Sequence, residues 1–180
     1  MEGMPSRPQR TRRRLHIVSG GQTGVDRAAL GVALELALPC SGWCPRGRRA
    51  ADGKLSMQWP LQETPSRTYR QRTRWNVLDS DATLILAQRP LSGGTRLTAE
   101  LAASLERPCL IVTPPTAAVE PVRLWIVERG VRTLNVAGPR ESHRGDVEAV
   151  AAAWLRTLLA PFAETPPATG DEPSDYSEPA

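Results

Sequence analysis

The chain has 180 residues, a net charge of +4 and an isoelectric point near 9.5, and its length suits one domain with a sizeable core. No apolar run approaches the roughly 20 residues of a membrane span, and the arginine-rich start leads into a short β-like segment rather than an apolar signal core, so a soluble cytoplasmic protein is expected. Few aromatics accompany the internal arginines and no nucleic-acid-binding signature is present, which favours a phosphorylated small molecule over nucleic acid as the partner of this basic chain.

Charge is spread unevenly. Residues 1–14 hold five arginines and one glutamate, residues 163–180 hold five acids and no base, and +5 remains on residues 15–162. The two ends are read as a disordered basic arm and a disordered acidic tail, because neither has enough apolar surface to offset the entropy of ordering. Residues 15–162 are read as one ligand-binding domain. The three cysteines, Cys40, Cys44 and Cys109, are an odd number without metal-finger spacing, so reduced, structural or incidental thiols are expected and no metal site.

Leu15 to Val18 reads as the first strand, and Val25 to Leu38 as a helix whose Val25, Ala28, Ala29, Val32, Ala33, Leu36 and Ala37 recur on one face. Between them lies Ser19-Gly20-Gly21-Gln22-Thr23-Gly24. A glycine bend that turns at once from strand to helix leaves unpaired N–H groups at the positive end of the helix dipole, which suits a phosphate. A tight turn without a ligand is the competing reading. Asp26, in the first helical turn, is read either as a favourable charge on the dipole or as a ligand contact.

From Pro39 to Pro65 the periodicity is lost. Cys40 to Trp43 reads as a short strand, and Cys44 to Gly53 as a functional loop carrying Arg46, Arg48 and Arg49, whose planar guanidinium groups suit phosphate or carboxylate, with a solvated charged insertion as the competing reading. Thr68 to Asp79 reads as a helix bearing Arg72, and Ala82 to Ala87 as a strand buried on both faces. A second glycine loop, Ser92-Gly93-Gly94-Thr95, opens a helix to Glu106. Cys109 to Val112 is then a strand, Val119 to Arg129 a helix, Thr133 to Ala137 a strand ending at Gly138-Pro139, and Asp146 to Leu159 a last helix. His16 and His143 read as structural or solvent-facing, and no nucleophile and base stand out as a pair.

Alternating strands and helices predict an α/β fold, a Rossmann-like three-layer sandwich with a mainly parallel sheet and helices on both faces. Both glycine loops then open at the carboxyl edge of the sheet. If their strands are neighbours, the loops face each other across one crevice.

The blocks Ser19 to Ala28, Gly42 to Ala50, Glu63-Thr64 with Tyr69, Arg72-Thr73 with Asn76-Val77, Asp79 to Leu84, and Gly94-Thr95 with Thr98 together resemble the molybdenum cofactor carrier family, over about residues 15–160. The resemblance implies a domain related to the lysine-decarboxylase-like phosphoribohydrolases, and storage, protection or delivery of molybdenum cofactor, a phosphorylated pterin holding molybdenum. It also implies a homo-oligomer, a dimer or tetramer, and molybdoenzymes as recipients. Within it, Gly20, Gly21, Gln22, Thr23 and Gly24 cradle one anionic end, and Gly93, Gly94 and Thr95 hold the same or another oxyanion, with Thr98 beside them. Arg46, Arg48, Arg49 and Arg72 are candidates to neutralise charge, and Asp26 to contact the ligand. The related hydrolases carry a glutamate three residues after the threonine of their glycine motif. Thr98 stands at that position here, and Glu100 is expected to face away, because two helical residues turn a side chain by about 200°. A carrier is therefore the first reading and a nucleotide-processing hydrolase of the phosphoribohydrolase type the alternative.

Overall fold

The computed structural model describes residues 14–142 and 145–163. The basic arm other than Arg14, the acidic tail other than Ala163, and His143 lie outside the described residues. In chain order the elements are β1 (His16–Val18), α1 (Val25–Glu35), β2 (Cys40–Ser41), β3 (Trp43–Cys44), β4 (Arg49–Ala50), β5 (Gly53–Lys54), β6 (Gln62–Glu63) and α2 (Tyr69–Leu78). There follow β7 (Ala82–Leu86), α3 (Gly93–Ser104), β8 (Cys109–Val112), α4 (Val119–Glu128), β9 (Thr133–Ala137) and α5 (Val147–Leu159), which runs into a short 3₁₀ turn at Ala160–Phe162. No helix among the described residues is long and apolar enough to cross a membrane.

The main sheet is parallel, in the order β2-β1-β9-β7-β8. All five residues of β7 are buried, as a strand covered on both faces requires. Side chains alternate across the sheet. Leu15 and Ile17, Ala82, Leu84 and Leu86, and Leu134 and Val136 join Val25, Ala29, Val122, Ile126, Trp154 and Leu158 in one core, so α1, α4 and α5 form one layer. The alternate positions Thr83, Ile85 and Asn135 are buried on the other face, where α2 packs on α3. This is the expected Rossmann-like sandwich.

The condition under which the two glycine loops would face each other directly is not met. β1 and β7 are not neighbours, because β9, the last strand among the described residues, pairs with both. Ile17 lies opposite Leu134, and Leu84 opposite Val136. The two glycine loops therefore open on either side of the β9 end, and Gly138-Pro139 enters between them.

The stretch from Pro39 to Pro65 also differs from the irregular loop expected. It is a small subdomain in which β3 pairs in parallel with β6 and β4 forms an antiparallel hairpin with β5. Leu55 and Leu61 close over Leu30 and Cys44 as a second apolar cluster. Its organiser is Arg48, whose guanidinium donates to the carbonyls of Leu55 (3.1 Å), Leu61 (2.9 Å), Ser56 (2.8 Å) and Trp59 (3.0 Å). A chain too short of regular structure to pair its own carbonyls has them paired by one buried cation.

Candidate functional site

A cavity of about 410 Å³ opens at the carboxyl edge of the sheet, where the ends of β1, β7 and β9 meet the first turns of α2 and α3. Gln22 and Asp26 come from the first glycine loop and α1, Tyr69, Arg72 and Thr73 from α2, Ser92 to Thr95 and Thr98 from the second loop and α3, and Ala137 to Arg140 from the loop after β9.

The first glycine loop is filled by the protein's own groups. Asp26 Oδ2 accepts from the Gln22 amide (3.3 Å) and from Arg72 (3.2 Å), so a carboxylate sits where a bound anion was expected. The Val25 amide, at the start of α1, donates to Pro139 O (3.2 Å). Gly24, with φ of +84°, lets this happen: a Cβ there would lie 2.5 Å from Pro139 O and 2.6 Å from the Glu141 amide. Gly20 admits Arg72 in the same way, since a Cβ there would lie 1.7 Å from its guanidinium. Burial pushes the Asp26 carboxyl above its ordinary range, against the opposite pull of Arg72 and of the Gln22 and Gly20 amides.

The second loop is open. The first-turn amides of Gly93, Gly94 and Thr95 have no acceptor within the helix by construction. Ser92 gives no side-chain cap, and the first amide bonded back is that of Arg96, to Ser92 O (3.1 Å). A Cβ added at Gly93 or Gly94 would meet nothing within 4 Å. The helix dipole and these amides face the cavity, an arrangement that suits an anion. Thr98 lies below, its hydroxyl donating to Gly94 O (2.9 Å).

Two buried nitrogens, Gln22 Nε2 and Arg72 Nε, have no hydrogen-bond partner among the described residues. The orientation of the Gln22 amide is fixed by its oxygen, which accepts from the amides of Thr23 (3.0 Å) and Ala51 (2.8 Å). Two guanidinium groups stand near the Tyr69 ring: Arg72 is 5.8 Å and Arg140 5.2 Å from its centre. The side chains facing the cavity thus offer donors and positive charge, and the carboxylate of Asp26 is already engaged.

Of the residues picked out from the sequence, Gln22, Asp26, Arg72, Gly93, Gly94, Thr95 and Thr98 line this cavity. Gly20, Gly21, Thr23 and Gly24 lie behind it as the turn that holds Gln22 and Asp26 in place. Arg48 is spent on the four carbonyls of the subdomain, which takes it out of the set of charge-neutralising candidates on geometric grounds. Arg46 and Arg49 are exposed and do not line the cavity. Glu100 points to solvent and pairs with Arg96 (3.4 Å). Tyr69, Ser92 and Gly138 to Arg140 were not picked out, although Gly138-Pro139 follows directly on a strand end, where ligands of such sheets gather.

A model of the circularly permutated YpsA SLOG family matches residues 17–159. The chain belongs to this family. The place of β9, last in the chain and central in the sheet, agrees with the permuted order in the family's name. A crystal structure at 1.45 Å resolution from Syntrophus aciditrophicus SB, named "Putative molybdenum carrier protein", is 38% identical, with a TM-score of 0.76 over 82% of this SLOG chain and 96% of its own. Among curated proteins none matches.

Proposed function

We propose that the cavity holds the phosphate end of molybdenum cofactor and that the protein stores, protects or delivers this cargo. The observation that carries the reading is the donor-rich lining: Gln22 Nε2 and Arg72 Nε are buried without partners beside the open amides of Gly93, Gly94 and Thr95. A phosphate offers acceptors and negative charge to all of them at once. The name of the crystallised relative supports a molybdenum-bearing ligand among the many phosphates that fit such a seat. A cytoplasmic homo-oligomer serving molybdoenzymes belongs to the same proposal.

The test supplies molybdenum cofactor in excess to the full chain in air and measures what survives by reconstituting a cofactor-free molybdoenzyme. The parent protein is expected to preserve reconstituting cofactor and the Arg72→Gln variant to preserve less. Equal decay with and without the parent protein overturns the proposal.

One observation favours a second reading, hydrolysis of a nucleotide: Asp26 lines the cavity with a carboxyl raised by burial, as a general acid requires. Against it, Asp26 is tied to Arg72, Thr98 replaces the acid of the related hydrolases, and Glu100 faces solvent. Release of free base from nucleoside monophosphates, lost in Asp26→Asn, decides for the hydrolase.

A further inference from the structure

A second cavity, of about 460 Å³, lies on the opposite side of the loop after β9, between the ends of β7 and β8 and the start of α5. Pro139 lines both cavities. Their chemistry is complementary. The first is rich in donors and cations. The second has walls of Val25, Leu86, Pro114, Val147 and Val150 with the polar Gln88 and Thr113 beside them and, among the described residues, no cationic side chain and one carboxylate, that of Asp146.

Asp146 occupies the N-cap position of α5, where an aspartate ordinarily accepts from the first amides of its helix. Here it makes no such bond. Glu141 has taken that duty, accepting from the amides of Val147 (3.0 Å) and Glu148 (3.0 Å). These bonds, together with one from the Ser142 amide, hold the Glu141 carboxyl below its ordinary range. Asp146 Oδ1 accepts from the Ser142 hydroxyl (3.2 Å). A carboxylate relieved of capping and set on the wall of an apolar slot is placed to accept a pair of parallel N–H donors from a flat ring.

We infer that this second cavity is a ring subsite, which takes the aminopyrimidinone edge shared by pterin and guanine onto Asp146 while the phosphate end of the same ligand lies across Pro139 in the first cavity. That edge presents a ring N–H and an exocyclic amino N–H side by side, and a carboxylate accepts both. The apolar walls take the ring faces. The inference rests on the phosphate reading of the first cavity and adds where the organic part of the ligand goes and what selects it.

The test uses the full chain with four probes read separately: fluorescent hydroxymethylpterin, GMP, AMP and inorganic sulfate. Hydroxymethylpterin, GMP or both are expected to bind, with affinity falling about tenfold or more in Asp146→Asn, as expected for loss of a charge-assisted pair of hydrogen bonds. Val150→Trp, which fills the slot, should weaken the same probes, and sulfate affinity should not fall in either variant. Which of the two ring probes binds tells the pterin source from the guanine source. AMP, which lacks the edge, should show no dependence on Asp146. Ring probes that bind both variants like the parent, or that are lost in Gly94→Glu and not in Asp146→Asn, overturn the ring subsite and leave the phosphate proposal standing. Failure of the parent to bind both sulfate and the ring probes removes both proposals.

Discussion

Two glycine-rich loops leave the carboxyl edge of the same sheet and turn into helices, and they differ in what their amides bind. In the first, Gly20 to Gly24, the protein has supplied the anion itself: Asp26 takes the Gln22 amide and Arg72, and Pro139 O takes the amide that opens α1. In the second, Gly93 to Thr95, no side chain caps the helix and open space lies over both glycines. One loop is a structural joint and the other is the proposed anion seat, though in sequence both read as strand, glycines, helix. Glycine is needed in the first because neighbouring backbone and a guanidinium press against it. In the second it keeps the approach to the amides clear, and at Gly93 it also serves a φ of +51°.

The largest contrast is expected in stability. At Gly24, alanine meets both an unfavourable φ of +84° and the Pro139 carbonyl. Gly24→Ala should therefore cost about 2–4 kcal/mol in urea unfolding. At Gly94 nothing stands in the way of a methyl group, and alanine is the better helix former, so Gly94→Ala should be neutral or stabilising by up to about 1 kcal/mol. Equal losses at both positions would erase the distinction between joint and seat.

Next in size is the effect on anion binding. Gly94→Glu places a carboxylate at the open start of α3, giving the second loop the kind of occupant that the first already has. The helix should gain a few tenths of a kcal/mol from the favourable charge on its dipole, while sulfate affinity falls about tenfold or more through repulsion at short range. Calorimetry that finds sulfate bound as tightly as in the parent would move the seat away from α3.

The difference between the loops was not legible from local sequence, and the reason is physical. Periodicity reports which residues of a helix or strand are buried, and it placed β7, α1, α3 and α5 closely, since each buries a long continuous stripe or run. It does not report which strands pair. That β9 inserts between β1 and β7 and brings Pro139 and Arg140 to the cavity is a non-local fact, and it is also what closes the first loop. In the segment from Pro39 to Pro65 the strands are two residues long, below the length at which alternation becomes visible, so the subdomain read as a loop. Arg48 was misjudged for a related reason: composition shows a cation, whereas burial and four carbonyl partners make it a scaffold. Arg72, Gln22, Gly94 and Thr95 were legible as candidates because their chemistry and their neighbours in sequence point the same way.

The smallest expected effect tests the occupant of the first loop. Once ionised, Asp26 lends negative charge to a cavity otherwise lined by donors and cations, so at a pH above its raised titration Asp26→Asn should bind sulfate about threefold more tightly than the parent, the scale of one partly screened charge a few ångströms away. The effect carries a sign in pH. The Asp26 carboxyl titrates above its ordinary value of 3.8 because burial disfavours its charged form. The folded protein therefore holds this proton more tightly than the unfolded chain does. Its contribution to stability is fully present below 3.8 and is lost as pH rises through the raised value. Sulfate, which remains a dianion over that range, should follow the same course, bound best while Asp26 is protonated and more weakly as it ionises. In Asp26→Asn both declines should be absent, leaving the pH dependence of the remaining groups, so the difference between parent and variant isolates one carboxyl. A sulfate affinity that runs parallel in parent and variant across the range would mean that Asp26 exerts no charge on the seat, and that the two loops are electrostatically independent despite sharing one cavity.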